Sequence, residues 1–414
     1  MASPTDQGKK IKQLYGSTPQ GYAGRLMRES QLQWRYESTE PSCALSLTMP
    51  VRFASYGSNT PHPIFAMNLP EGEQFHRIRT RFAKQFSKLD EMAILSIVGH
   101  NQIGRVMLAE EQNHQRESKA MLGLQALLKT SASAELFESL FDQYYDAGIS
   151  GAQPKVLIPD GDFQEVMGRE TARIPDLIVK TGGAEYPYLS ANEYACMLVA
   201  RKAGIDVPEF HLSDDASLFI MRRFDLMPSQ AGEPPQRLGF EDFAVLSGAT
   251  YDTLGDYKYR GNYEGIAALI GRLCPKDGHL QQAKFFEYLC LSVMVGNGDA
   301  HLKNFALLYE HPANPTSVRL APLYDVVTTS AYDFEDRRTS LMQTDRELAL
   351  KLNKSKRLPT RDELIAFGRA HCRVSHPARV MERIEVAKRE AWEECKALFP
   401  QAMAARMAKE WTLV

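Results

Sequence analysis

The sequence predicts an α+β chain with a small N-terminal α/β subdomain followed by two lobes, the second mainly helical. Three observations predict it. Up to about residue 110, short strand-like runs alternate with turns and brief helical stretches. A breaker-rich run, Pro228-Ser-Gln-Ala-Gly-Glu-Pro-Pro-Gln236, then separates strand-rich from mainly helical sequence and reads as the connector after a hinge. Beyond it, an apolar helical stretch over residues 282–295 leads directly into a polar loop. The expected units are residues 1–110, 111–230 and 231–414.

The elements follow in order. Residues 31–36 alternate weakly and 44–49 look strand-like ahead of Pro50. Asn68-Leu-Pro-Glu-Gly72 is a turn into a basic helix over 76–86, and a second helix covers 91–98. Residues 104–108 are strand-like, 110–119 form a polar surface connection, and helical periodicity resumes over 121–145. Gly148-Ile-Ser150-Gly151-Ala152-Gln153-Pro-Lys155 is a glycine-containing turn entering a strand. Such a turn either presents backbone N–H groups to phosphate or is a plain hairpin. Pro175-Asp-Leu-Ile-Val-Lys180 is an apolar strand ending in an ammonium, suited to nucleotide phosphates or simply leaving the sheet for water. A helix runs from Ser190 to about Ala203, with Gly204 as its stop. Its Glu193 has two competing readings: partner of Lys180, or the fourth residue of an S-x-x-E capping box, with capping slightly ahead. Residues 209–211 and 218–222 form a strand pair ending at Arg222-Arg223-Phe224-Asp225. Val380, Ile384, Ala387, Ala391 and Cys395 form an apolar helical stripe, with Glu382, Arg383, Lys388, Arg389 and Glu393 on the opposite face.

Composition bounds the function classes. The 414 residues carry a formal charge of −2, which argues against a chain-wide nucleic-acid footprint. The six cysteines form no C-x-x-C pair, suggest no zinc site, and read as buried thiols in a reducing cytoplasm. The start has no apolar signal core, and no apolar run approaches the ~18 residues of a membrane span. A cytoplasmic protein is expected.

The chemistry concentrates in Asn297-Gly-Asp299-Ala-His301-Leu-Lys303-Asn304, followed by Leu320-Ala-Pro-Leu-Tyr324-Asp325. Protein kinases space a catalytic-loop Asp and Asn in the same D-x-x-x-x-N pattern and add a downstream Asp for Mg²⁺. Phosphoryl transfer needs a carboxylate to orient the attacking hydroxyl and hard oxygens for the metal. The pattern alone is weakly specific. Its setting, a helix before it and strand-like runs over 305–309 and 317–320 after it, makes it much stronger.

Together these segments resemble the HipA family of bacterial toxin–antitoxin serine/threonine kinases. Gly151-Ala-Gln-Pro-Lys155 is similar to the family's phosphate loop, Leu177-Ile-Val-Lys180 to its nucleotide strand, and Arg223-Phe-Asp225 to its hinge. Asn297–Asn304 and Pro322-Leu-Tyr-Asp325-Val are similar to its catalytic and metal motifs. Leu45-Ser-Leu-Thr-Met-Pro50 and Asn68-Leu-Pro-Glu-Gly72 are similar to its N-terminal part. The resemblance implies a protein-kinase-like two-lobe fold with ATP and Mg²⁺ between the lobes. It makes Asp299 the catalytic base and Asn304 and Asp325 the Mg²⁺ ligands. It places Lys180, Ser150, Gly151, Ala152, Gln153, Lys155, Arg223, Phe224, His301 and Lys303 around the nucleotide.

It further implies phosphorylation of a serine in an aminoacyl-tRNA synthetase, a small HipB-like DNA-binding antitoxin as partner, and contact with DNA only through that antitoxin. The chain departs from the family at three places, one of them an unusual Gly182-Gly183 pair after Lys180. Gly148 stands where many relatives carry a regulatory serine, which leaves Ser150 as the autophosphorylation candidate, and Arg222 replaces the usual hinge glutamate. Two alternatives remain: a small-molecule kinase of the aminoglycoside or choline type, and an inactive scaffold acting with the antitoxin. Outside the motifs, His301 either touches phosphate or braces the loop, and Lys303 is either support for the site or a solvated charge. The basic run Arg77–Lys84 is a solvated helix face or a contact for DNA or an acidic partner, and the three tryptophans are packing residues.

Overall fold

The computed structural model describes residues 9–412 apart from 87, 113–121, 130–132, 147, 150–152, 162–174, 184, 228–234, 252–254 and 336–340. The expected connection over 110–119, the connector after the hinge, and Ser150, Gly151 and Ala152 therefore lie largely or wholly outside the described residues.

In the N-terminal part, period-two alternation makes a sheet with one buried face. Among the described residues it has five antiparallel strands, ordered Tyr56–Ser58, Gln33–Ser38, Gly21–Ser30, Gln13–Thr18 and Met107–Ala109. Leu14, Leu26, Trp34 and Tyr36 point from it into a core shared with Met92, Leu95 and Val98. The last three lie on the helix Glu91–Val98, whose first turn is capped by the Asp90 carboxylate accepting from the Ala93 N–H at 3.1 Å. Val245, far along the chain, completes this core.

A second antiparallel sheet carries Lys155–Ile158, Leu177–Thr181, Leu218–Arg222 and Phe210–Leu212 in that spatial order. Its central strands are apolar on both faces because both are covered. Phe137, Leu140 and Phe141 of the helix Ser133–Tyr144 pack on Val156, Val179 and Ile220. The helix Leu189–Lys202 covers the other side, and Gly204 ends it in the left-handed region at φ +66°. The remainder is mainly helical. Gly278–Met294 runs through it with Phe285, Phe286, Leu289 and Cys290 buried, against Arg361–Cys372 and Pro377–Cys395. No helix among the described residues is long and apolar enough to cross a membrane. All six cysteines are buried and unbridged.

Several local expectations are corrected. Residues 44–49 are a turn closed by a Ser46–Met49 bridge rather than a strand, since Glu241 captures the Leu47 N–H at 2.7 Å. The basic helix starts at Gly72, not 76, and ends at Phe82. Periodicity over 121–145 is divided between Leu124–Leu128 and Ser133–Tyr144. Arg77 and Arg81 of the basic helix meet Glu138 and Asp142 of the chain itself, at 2.5 and 2.8 Å. Lys388 is not on a solvent face. It is buried, with its ammonium donating to the Trp411 carbonyl at 3.0 Å and the Met294 carbonyl at 3.3 Å, because neighbours cover this helix on more than one side.

Glu241 ties the N-terminal part to the helical part. Its fully buried carboxyl accepts from Ser46 Oγ at 2.8 Å, from the Leu47 N–H and from the Tyr309 hydroxyl. Burial pushes this carboxyl up to about 7, outweighing the hydrogen bonds from Tyr309, Leu47 and Ser46. The folded state thus holds the proton more tightly than the unfolded chain. The resulting stability is complete below the ordinary value of 4.5 and is lost as pH rises through about 7. The contribution is about 3 kcal/mol. Glu241→Gln is therefore expected to gain stability relative to the parent between pH 5 and pH 8. Thermal melts of both proteins check this, and a pH-independent difference in Tm contradicts it.

Candidate active site

Lys180 sits on a central strand directly opposite Lys155, and both ammoniums are buried. Lys180 Nζ lies 2.5 Å from Glu193 Oε1 and 2.7 Å from Asp325 Oδ1. Glu193 is fully buried on the helix Leu189–Lys202. The capping expectation fails: Tyr188 occupies the cap position, and the Ser190 hydroxyl donates to the Ser217 carbonyl at 2.9 Å. With its only described partner across the sheet, Glu193 is a lysine-pairing residue. Burial alone would lower the Lys180 ammonium, but Asp325 and Glu193 raise it above the lysine range. Burial alone would likewise raise the Asp325 carboxyl, yet Lys180 and Lys155 hold it well below the carboxylate range. Lys155 is lowered by burial, against the pull of Asp325.

Asp325 adopts φ +62°, a left-handed conformation that aspartate tolerates better than most side chains. Its Oδ2 accepts from Asn304 Nδ2 at 3.2 Å, and Asn304 Oδ1 accepts the His301 N–H at 3.1 Å. The Tyr324 hydroxyl donates to the Lys303 carbonyl at 2.8 Å, so the segment carrying Asp325 grips the loop carrying Asn304 twice.

Asp299 follows the long helix through Gly296 at φ +72°, where a Cβ would stand 2.3 Å from Ser330 Oγ. The loop is held from within and from a neighbouring segment: Asn297 Oδ1 accepts the Asp299 N–H at 3.0 Å, and Thr329 Oγ1 accepts the Gly298 N–H at 2.7 Å. The Asp299 side chain remains 51% exposed, and its Oδ1 accepts from the Tyr259 hydroxyl at 2.8 Å. His301 is buried behind it, with Nε2 3.9 Å from Asp299 Oδ2 and the Tyr259 ring edge-on at 5.2 Å. Burial lowers the His301 imidazole, which favours its neutral form.

Other residues assigned to the nucleotide have protein partners. Lys303 Nζ is 2.8 Å from Glu71 and 3.2 Å from the Tyr257 hydroxyl. Arg223 is buried, bidentate on Asp225, and donates to the Pro175 and Gln102 carbonyls. Phe224 stacks on Tyr324 with centroids 5.3 Å apart. Gln153 donates to the Thr181 carbonyl at 3.1 Å, at the end of the strand carrying Lys180. Arg222 joins Asp160, Asp176 and Glu209. At Gly148 a Cβ would meet Gln102 Cγ at 2.6 Å and the Val98 carbonyl at 2.9 Å, so this position has no room for a serine. Sequence reasoning missed Tyr259, for which no local signal exists, and the role of Glu71, although it singled out the Asn68–Gly72 stretch that carries it.

The residues fit a magnesium-bound nucleotide. Among the described residues no three His, Cys, Asp or Glu side chains gather as a self-sufficient metal cage. Asp325 instead supplies hard carboxylate oxygens beside two buried ammoniums, with the Asn304 amide next to it, its nitrogen on Asp325 and its oxygen on the His301 N–H; such a site suits an ion that takes its remaining ligands from phosphates and water.

This arrangement lies on a two-lobe, protein-kinase-like fold with a small N-terminal subdomain. The description of the HipA-like C-terminal domain matches residues 147–398, and that of the HipA N-terminal domain matches residues 17–109. The chain belongs to the HipA family. It is similar to a Haemophilus influenzae protein provisionally named a kinase, with 34% identity over 195 residues, 44% of this chain and 53% of that protein. A Sinorhizobium fredii protein, Y4dM, also provisionally named a kinase, is 31% identical over 250 residues, 56% of this chain and 54% of the other. The matches thus span about half the length of these two relatives. HipA in the Shewanella oneidensis complex of HipA, HipB and operator DNA superposes with a TM-score of 0.66 at 17% identity, over 96% of this chain and 95% of that one, which establishes the shared fold.

Proposed function

We propose that this chain is an ATP-dependent serine/threonine protein kinase and the toxin of a type II toxin–antitoxin pair, acting on a serine of an aminoacyl-tRNA synthetase. The carrying observation is the convergence of Lys180, Asn304 and Asp325 in one hydrogen-bonded cluster, next to a loop that presents Asp299 to solvent. Asp299 orients the attacking hydroxyl and receives its proton. Lys180, with Lys155 beside it, binds the phosphates, and Glu193 fixes the Lys180 ammonium. Asp325 and Asn304 would hold Mg²⁺, which supplies charge neutralisation on the transferring phosphoryl group. The Shewanella complex of HipA with HipB and operator DNA supports a HipB-like antitoxin as partner; contact with DNA through that antitoxin belongs to the same proposal. Ser150, five residues before Lys155 in the sequence, is the proposed autophosphorylation site; it is outside the described residues.

Brief induction followed by phosphoproteomics tests the reading. Wild type should add phosphate to a serine of a translation protein and to Ser150, and Asp299→Asn to neither. Label appearing only in a small metabolite would reassign the chain to small-molecule kinases. Tight antitoxin binding without Mg²⁺-ATP binding would make it a scaffold.

A further inference from the structure

The turn Asn68–Gly72 belongs to the N-terminal subdomain, more than two hundred residues from the catalytic loop, and phosphoryl transfer as described makes no use of it. Its Glu71 nevertheless reaches the site. One carboxylate oxygen lies 2.8 Å from Lys303 Nζ, the other 2.9 Å from Lys258 Nζ. All three side chains are largely buried, with exposures of 20%, 8% and 11% for Glu71, Lys303 and Lys258.

The two lysines stand on the two segments that define the position of Asp299. Lys303 lies within the loop itself, immediately before Asn304, in the short turn of helix Leu302–Asn304. Lys258 lies in the turn Asp256–Tyr259, immediately before the tyrosine whose hydroxyl donates to Asp299 Oδ1. A single carboxylate thus joins the segment bearing the base to the segment bearing the base's hydrogen-bond partner. Burial makes this junction stiff, because parting its members pulls opposite charges away from each other in a low-dielectric setting. Burial alone would raise the Glu71 carboxyl, but Lys303 and Lys258 hold it well below the carboxylate range, so it stays ionised throughout the neutral region.

We infer that Glu71 is a positioning residue through which the N-terminal subdomain holds the Asp299 loop and Tyr259 in register. The inference rests on the kinase reading for its effect on rate, and on geometry alone for its effect on the loop. It also gives Lys303 a definite role as the loop's anchor to that subdomain.

The test compares the full chain with Glu71→Gln, which keeps size and hydrogen bonding but removes the charge, and with Glu71→Asp, which keeps the charge and shortens the reach. Two readouts are taken: turnover of Mg²⁺-ATP over a range of ATP concentrations, and amide hydrogen exchange along the chain. Glu71→Gln should lower the rate at saturating ATP by about 10–100-fold with the KM for ATP unchanged, since misplacing a catalytic group by about an ångström costs on that order. Exchange should quicken selectively in residues 256–259 and 299–304, and Glu71→Asp should restore part of both effects. Unchanged exchange in those segments overturns the inference. So does a loss of protection spread evenly over the chain, which would mark Glu71 as a general stability residue. If the parent chain neither binds nor turns over Mg²⁺-ATP, the kinase reading fails, and the exchange pattern alone decides whether Glu71 holds the loop.

Discussion

Asp299→Asn is expected to abolish phosphoryl transfer while leaving the protein folded and able to bind nucleotide. The substituted side chain is half exposed and accepts one hydrogen bond, from Tyr259, that an amide oxygen can also accept. What disappears is the capacity to take the acceptor's proton, whose loss costs about 10²–10⁴-fold in rate. Lys180, Asn304 and Asp325 are untouched, so affinity for Mg²⁺-ATP should stay within a few-fold of the parent. Isothermal titration with Mg²⁺-ATP, alongside label transfer to the acceptor, separates the two. Undiminished transfer would remove Asp299 from the mechanism.

The second large effect concerns Lys180. Lys180→Met should remove nucleotide binding and also destabilise the fold, because the fully buried Glu193 would lose its paired ammonium. Stranding one member of a buried pair costs about 3–5 kcal/mol. Adding Glu193→Gln to the same chain removes the stranded carboxyl. The double variant should regain most of the lost stability in denaturant titrations and none of the nucleotide binding. If the double variant is no more stable than Lys180→Met, the pair is not the source of the loss.

Much of the site was legible because its parts are local. The loop from Asp299 to Asn304 is six contiguous residues ahead of a strand, and Asp325 lies in a short run after the next strand. The strand bearing Lys180 announced itself by an apolar run ending in a cation. Glu193 was ambiguous for a physical reason: a capping glutamate and a lysine-pairing glutamate occupy the same place near a helix start, and only the sheet's position decides between them. The partnerships of Tyr259 and Glu71 could not be read, even though the stretch carrying Glu71 stood out, since they span 40 and 232 residues. Lys388 was misread because a two-faced pattern cannot reveal a helix covered on more than one side. The turn at 44–49 looked like a strand because its apolar alternation serves a loop folded around Glu241.

The left-handed backbone of Asp325 limits how a gene of this kind decays. A single nucleotide change at an aspartate codon gives Asn, Gly, His, Tyr, Ala, Val or Glu. Of these, glycine and asparagine accept that backbone most readily, and β-branched valine least. Inactivating drift at this position therefore divides into quiet exits, which leave an intact but inert shell, and noisy ones, which damage the fold itself.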